Sequence, residues 1–144
     1  MEGVAHLDPE RSVFEAMLAG WEQQQQSRML RGNTIGGRLW LVRRFAEFTN
    51  EYPWQWRPQD LEDFSSSLRS GSDPLAFSTI RGYQHILGLF YEFVADARYG
   101  WGAECETRFG THPVQICHEW NTARHRSDYE GDPRRRPLTP DLLT

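Results

Sequence analysis

Two sets of residues in this chain have the types and spacing to do chemistry. The first is Cys105-x6-His112-x4-Cys117-x7-His125, with His118 as an alternative ligand. Two thiolates and two imidazoles can close a tetrahedral zinc site. The gaps match none of the short zinc-knuckle patterns, so buried free cysteines and surface histidines are the competing reading. The second set is basic and sits on the segment Ser78–Trp101. There Ile80, Tyr83, Leu87, Phe90, Tyr91 and Val94 recur at three- and four-residue steps, which predicts a helix of about six turns with Ser78 or Thr79 as its cap. Its opposite face carries Arg81, Gly82 and His85 first, then Glu92 and Asp96. That order opposes the helix dipole, which favours acids first and bases last. A polyanion docking at the N-terminal half would account for it; a solvated amphipathic helix is the plainer alternative.

The remaining elements must position these groups. Asp8-Pro9-Glu10 reads as a helix start, with an Asp cap, proline at the first position and an acid in the first turn. Val13, Phe14, Met17, Leu18 and Trp21 make its apolar stripe, and Arg31-Gly32-Asn33 is expected to end it in a left-handed cap. Thr34 is then expected to cap a second helix to about Asn50, with Ile35, Leu39, Val42, Phe45 and Ala46 inward. Gly36, Gly37, Trp40, Arg43 and Arg44 face outward or flank it, and Arg38 lies beside the seam. The prolines in Tyr52–Pro58 force an extended connector, whose Trp54 and Trp56 read as core. Pro58 opens a short third helix built on Leu61, Phe64 and Leu68, and Gly71-Ser72-Asp73-Pro74 is a turn before the fourth helix. Pro113 or Val114 is expected to start a fifth helix that packs Val114, Ile116, Cys117 and Trp120. The fold class expected is all-α.

A chain of 144 residues supports one core that removes roughly two-thirds of the unfolded surface from water. With 38% hydrophobic and 25% charged residues, wholesale disorder is excluded. The net charge of −4 excludes a uniformly basic nucleic-acid binder, so a DNA surface has to be local. All 16 basic residues are arginine, which suits bidentate phosphate and guanine contacts; codon bias explains the missing lysine as well. No apolar run approaches a membrane span, and MEGVAHLDPE lacks the layout of a signal peptide. A cytoplasmic location with Cys105 and Cys117 reduced is expected.

Ser78-Thr79-Ile80-Arg81-x-Tyr83, the seam through Leu87 and Phe90, and Tyr99-Gly100-Trp101 together resemble the last helix of a core-binding domain. This is the SAM-like N-terminal helical domain of tyrosine recombinases, the phage-type integrases. The segment Arg108–Thr122 resembles a stretch that follows this domain in some integrases, and the likeness runs over roughly residues 8–143. The resemblance implies a four-helix bundle over 1–101 and a Cys/His-containing helical extension over 102–126. It implies an interdomain linker, with Arg134-Arg135-Arg136, and the start of a catalytic domain over 127–144. Its second and last helices lie against the DNA major groove. The DNA-contacting candidates it implies are thus Thr34, Arg38, Arg43, Arg44, Ser78, Thr79, Arg81 and His85. Each arginine has a plainer role as a solvating surface charge. The partners implied are duplex DNA and other recombinase protomers, with no membrane and no small-molecule substrate.

Tyrosine recombinases cleave with a tyrosine nucleophile assisted by arginine, lysine and histidine. Here there is no lysine and no His-x-x-Arg, and Tyr52, Tyr83, Tyr91, Tyr99 and Tyr129 sit in expected core, loop or linker. A non-catalytic DNA-binding domain without cofactor, zinc aside, is the expectation. A small helical protein-interaction module is the alternative, supported by the net negative charge.

Overall fold

The Asp8 carboxylate accepts the Arg11 backbone N–H at 3.0 Å, and Pro9 takes the first helical position, so the first helix begins where its sequence signals stand. The computed structural model describes residues 8–124. His125 and the segment 127–144, with its arginine triplet, lie outside the described residues. The elements are α1 (Pro9–Ser27), α2 (Gly32–Thr49), α3 (Pro58–Arg69), α4 (Phe77–Ala95), a single 3-10 turn (Ala97–Tyr99) and α5 (Trp101–Phe109). A second 3-10 turn at Glu119–Asn121 follows, and there is no strand among the described residues. The fold is all-α.

Several boundaries differ from expectation for one physical reason: backbone geometry, not a side-chain cap, sets them. α1 closes on Met29, which takes the left-handed conformation at φ 64° while the Leu30 N–H reaches back to the Gln25 carbonyl at 3.2 Å. Gly32 and Asn33 are therefore free to open α2 instead of ending α1. Arg31 enters α2 extended, and its carbonyl already accepts the Ile35 N–H at 3.0 Å. Thr34 lies inside the first turn and caps nothing. α4 repeats the pattern. Ala76 is the extended boundary residue, Ile80 N–H bonds its carbonyl at 3.1 Å, and Ser78 and Thr79 lie within the first turn.

α4 is also shorter than the expected run to Trp101. Its last residue is Ala95, after which Asp96 turns extended and caps the next turn by accepting the Arg98 N–H at 2.9 Å. Gly100, at φ 79°, then redirects the chain into α5. Gly110, at φ 76°, closes α5 by donating its N–H to the Glu106 carbonyl at 3.0 Å.

The fifth helix expected from Pro113 or Val114 does not form. Residues 111–118 run as a strap across the bundle, because side chains satisfy amides that a helix would pair. Gln115 Oε1 accepts the Cys117 N–H at 3.0 Å, and Asn121 bonds both the His118 N–H and the Ile116 carbonyl. Pro113 and Ile116 turn inward, while Val114 and Trp120 are exposed.

α4 runs through the centre of the core. Its Leu87, Phe90, Tyr91 and Val94 are fully buried against Met17 of α1, Val42 and Phe45 of α2, and Leu61 of α3. Trp21 meets Phe90 edge-on at 5.1 Å, and Phe45 meets Trp56 at 4.7 Å and Phe64 at 5.2 Å in the same geometry. Such pairs add roughly 0.5–1.5 kcal/mol beyond their buried area. Trp54 and Trp56 are core residues, as expected. The Tyr91 hydroxyl donates to the Pro53 carbonyl at 2.8 Å, which ties the proline-rich connector to α4. Cys105 and Ile116 join the same cluster, so α5 and the strap share the bundle's core.

Candidate nucleic-acid interface

α2 and α4 lie side by side and touch at their surface through Trp40 and Tyr83, whose rings meet edge-on at 6.3 Å. The periodicity that buries Val42, Phe45, Leu87 and Tyr91 leaves the opposite faces of both helices to solvent. On α2 that face presents Gly36, Gly37, Trp40 and Arg44; the first turns of α4 present Ser78, Thr79 and the less exposed Gly82. The Arg44 guanidinium sits over the Trp40 ring at 5.5 Å, a cation–π placement that leaves its N–H donors available. At the mouth of α4, Arg69 lies over Phe77 at 4.4 Å. Trp40, Phe48 and Phe77 are among the exposed large hydrophobic residues.

The glycines on these faces are informative. Among the described residues, a Cβ added at Gly36, Gly37 or Gly82 would meet nothing within 4 Å. Glycine inside a helix costs about 0.5–1 kcal/mol relative to alanine, and packing within the fold asks for none of the three. Their common effect is to lay bare helix backbone beside Trp40 and Tyr83.

The eight expected DNA-contacting residues do not form one surface. Thr34, Arg44, Ser78 and Thr79 are exposed on the outer turns of α2 and α4. Arg38 turns toward α1, where its Nη1 donates to Gln25 Oε1 at 3.1 Å. Arg43 is held by Glu15 through two hydrogen bonds of 2.7 and 2.9 Å. That pairing raises the Arg43 pKa and lowers that of the Glu15 carboxyl, with the hydrogen bond the main cause in each. Arg81 and His85 point to a third place, a cavity of about 350 Å³ between α4 and the strap, shared with Gln84, Cys117 and His118.

Among the described residues no group of three His, Cys, Asp or Glu side chains is arranged to hold a metal ion. Cys105 is buried in the core, and burial pushes its thiol up to about 11. Cys117 packs on the open side of Gly88 and donates to the Gln84 carbonyl at 3.7 Å; burial pushes its thiol up to about 12. His112 is exposed and bonded to Glu106 at 2.8 Å, and His118 stacks on the Trp120 ring at 4.9 Å. His125 lies outside the described residues.

Sequence reasoning missed the Arg44–Trp40 pair, although its four-residue spacing on a helix was a readable signal. It also missed Arg69 over Phe77, which depends on the turn between α3 and α4. Among the described residues no helix is long and apolar enough to cross a membrane. No family model, curated protein or solved structure matches this chain.

Proposed function

We propose that this chain is a non-catalytic duplex-DNA-binding helical domain of the core-binding type found in tyrosine recombinases. The observation that carries the reading is the trio Gly36, Gly37 and Gly82, which open helix backbone on the exposed faces of two neighbouring helices where no packing requires it. Backbone laid bare in this way admits close approach by a ligand surface. The hydroxyls of Ser78 and Thr79 and the guanidinium of Arg44 stand on the same faces as donors for phosphate oxygens. Arg43 is withdrawn from this role by its ion pair with Glu15, and Arg38 turns to the α1 side of the bundle, off these faces. Affinity on so few phosphate contacts is weak, micromolar or poorer, and falls with salt.

A protein-interaction module is the second reading. The exposed rings of Trp40, Phe48 and Phe77 favour it, because aromatic residues are enriched in protein interfaces.

The test is fluorescence anisotropy with a short duplex at low salt, on the wild type and on Gly37→Ala/Gly82→Ala. The double substitution removes helix glycines into open space, so it should raise the melting temperature while weakening duplex binding. Binding that survives unchanged in the stabilised variant removes the close-approach argument. Absence of binding by the wild type at low salt sinks the DNA reading and leaves the protein-interaction module.

A further inference from the structure

A second basic site lies at the other end of α4. The C-terminal cap of α1 brings Arg28, α2 brings Arg38, and the 3-10 turn brings Arg98 to one cavity of about 190 Å³. Gln24, Gln25 and two carboxylates, Glu92 and Asp96, share it. Glu92 is fourteen residues along α4 from Ser78, roughly 21 Å at the helical rise, and on α2 Arg38 follows Gly37 but turns away from the proposed duplex-facing side toward Gln25 of α1.

The charges in the pocket are not equivalent. Arg98 spends its guanidinium on Asp96, with contacts of 2.7 and 3.0 Å that cancel one charge of each sign. Asp96 is correspondingly held down to about 2, chiefly by that side-chain bond. Arg28 and Arg38 remain. Neither makes an ion pair with a carboxylate among the described residues. Glu92 offsets one of these two positive charges, leaving the pocket net positive.

Gln25 makes this a built site. It is 1% exposed, and both ends of its amide are used inside the fold. Its Nε2 donates to the Trp21 carbonyl at 3.3 Å, and its Oε1 accepts from Arg38 at 3.1 Å. A buried amide is costly unless bonded, and this one anchors a guanidinium at the pocket wall. One N–H of Arg38 is spent on the anchor, and the guanidinium carries four more.

We propose that this pocket binds an oxyanion of phosphate size, held by Arg28 and Arg38, with Gln25 as the residue that positions Arg38. The planar forks of two guanidiniums match phosphate oxygens, and a phosphate group fits the volume. Its source is either a small free anion or a backbone phosphate of nucleic acid.

The experiment titrates the folded protein with inorganic phosphate at fixed ionic strength, set with sodium chloride, following melting temperature and backbone NMR shifts. Ligand binding to the native state should raise the melting temperature in proportion to the logarithm of phosphate concentration above Kd, with saturable shifts at Arg28, Arg38 and Arg98. Arg28→Gln, on an exposed residue, and Arg38→Gln should each weaken phosphate at least tenfold while the far-UV spectrum is unchanged. Gln25→Leu keeps the buried volume and should weaken phosphate with Arg28 and Arg38 both present. Stabilisation by chloride equal to that by phosphate, or unchanged affinity in both arginine variants, overturns the site. Unchanged affinity in Gln25→Leu overturns the positioning role. A short duplex that displaces phosphate assigns the site to backbone phosphates. A duplex that binds alongside phosphate assigns it to a small anion. Phosphate binding in a protein that ignores duplex would sink the DNA proposal and leave this one standing.

Discussion

The bundle and the strap hold themselves in place by different means. α1 to α4 bury apolar stripes; their inward residues Met17, Val42, Phe45, Leu61, Leu87, Phe90 and Val94 are fully buried. The strap and the turn that follows it, over 111–124, contribute little apolar burial beyond Pro113, Ile116 and the half-buried Cys117, and are fixed by individual hydrogen bonds. Gln84, nearly buried on α4, is the main fastener: its Nε2 donates to Ser65 Oγ at 2.8 Å and its Oε1 accepts the Ala123 N–H at 2.6 Å. Gln115 Nε2 donates to the Gly88 carbonyl at 3.3 Å, and Thr111 to the Trp54 carbonyl at 3.3 Å. Burial is non-directional and tolerates small shifts, whereas a buried hydrogen bond is lost when one partner leaves. The bundle should therefore fail through cavities and the strap through single polar substitutions.

The largest effect should come from the bundle. Leu87→Ala or Phe90→Ala should cost about 2–5 kcal/mol in urea-unfolding experiments. A loss below about 1 kcal/mol would mean that α4 is not central. Gln84→Leu should cost about 1–3 kcal/mol, since it strands the Ala123 N–H and Ser65. Its effect should appear first as faster hydrogen exchange in 115–123, with the α1–α4 amides still protected; equal loss of protection in both regions would erase the distinction.

A smaller effect of opposite sign is expected at the end of α1. Met29 is left-handed and 85% exposed, so its side chain contributes strain and little burial. Met29→Gly should stabilise by about 0.5–1 kcal/mol, read as a rise in melting temperature. The smallest concerns pH. The Asp96 carboxyl is held down to about 2 by Arg98, below its unfolded value near 4. Its contribution is therefore complete above about pH 5 and fades as pH falls toward 2. Asp96→Asn should flatten that part of the acid-unfolding curve; an unchanged curve would show that the exposed pair is silent.

What could be read from sequence follows the same divide. Leu61, Phe64 and Leu68 declared α3 because helical burial repeats every three to four residues, and Asp8-Pro9-Glu10 declared the start of α1. The strap was misread as a helix because Val114, Ile116, Cys117 and Trp120 mimic that repeat, while its true determinants, Gln84 and Asn121, are polar and carry no periodic signal. Arg38 and Arg43 were equally opaque. Their partners Gln25 and Glu15 lie thirteen and twenty-eight residues away, on a helix whose rotation only packing decides. Leu41, fully within the core, was passed over beside Trp40 for the same reason.

Duplex DNA at the outer faces of α2 and α4 is the proposal on which the functional reading stands. A ¹H–¹⁵N NMR titration with a short duplex at low salt tests it most directly. Saturable shifts are expected, concentrated at Gly36, Gly37, the Trp40 indole, Ser78, Thr79 and Gly82 and diminishing as salt is added. Shifts confined to the strap or to α3, or no shifts at any duplex concentration, would contradict it.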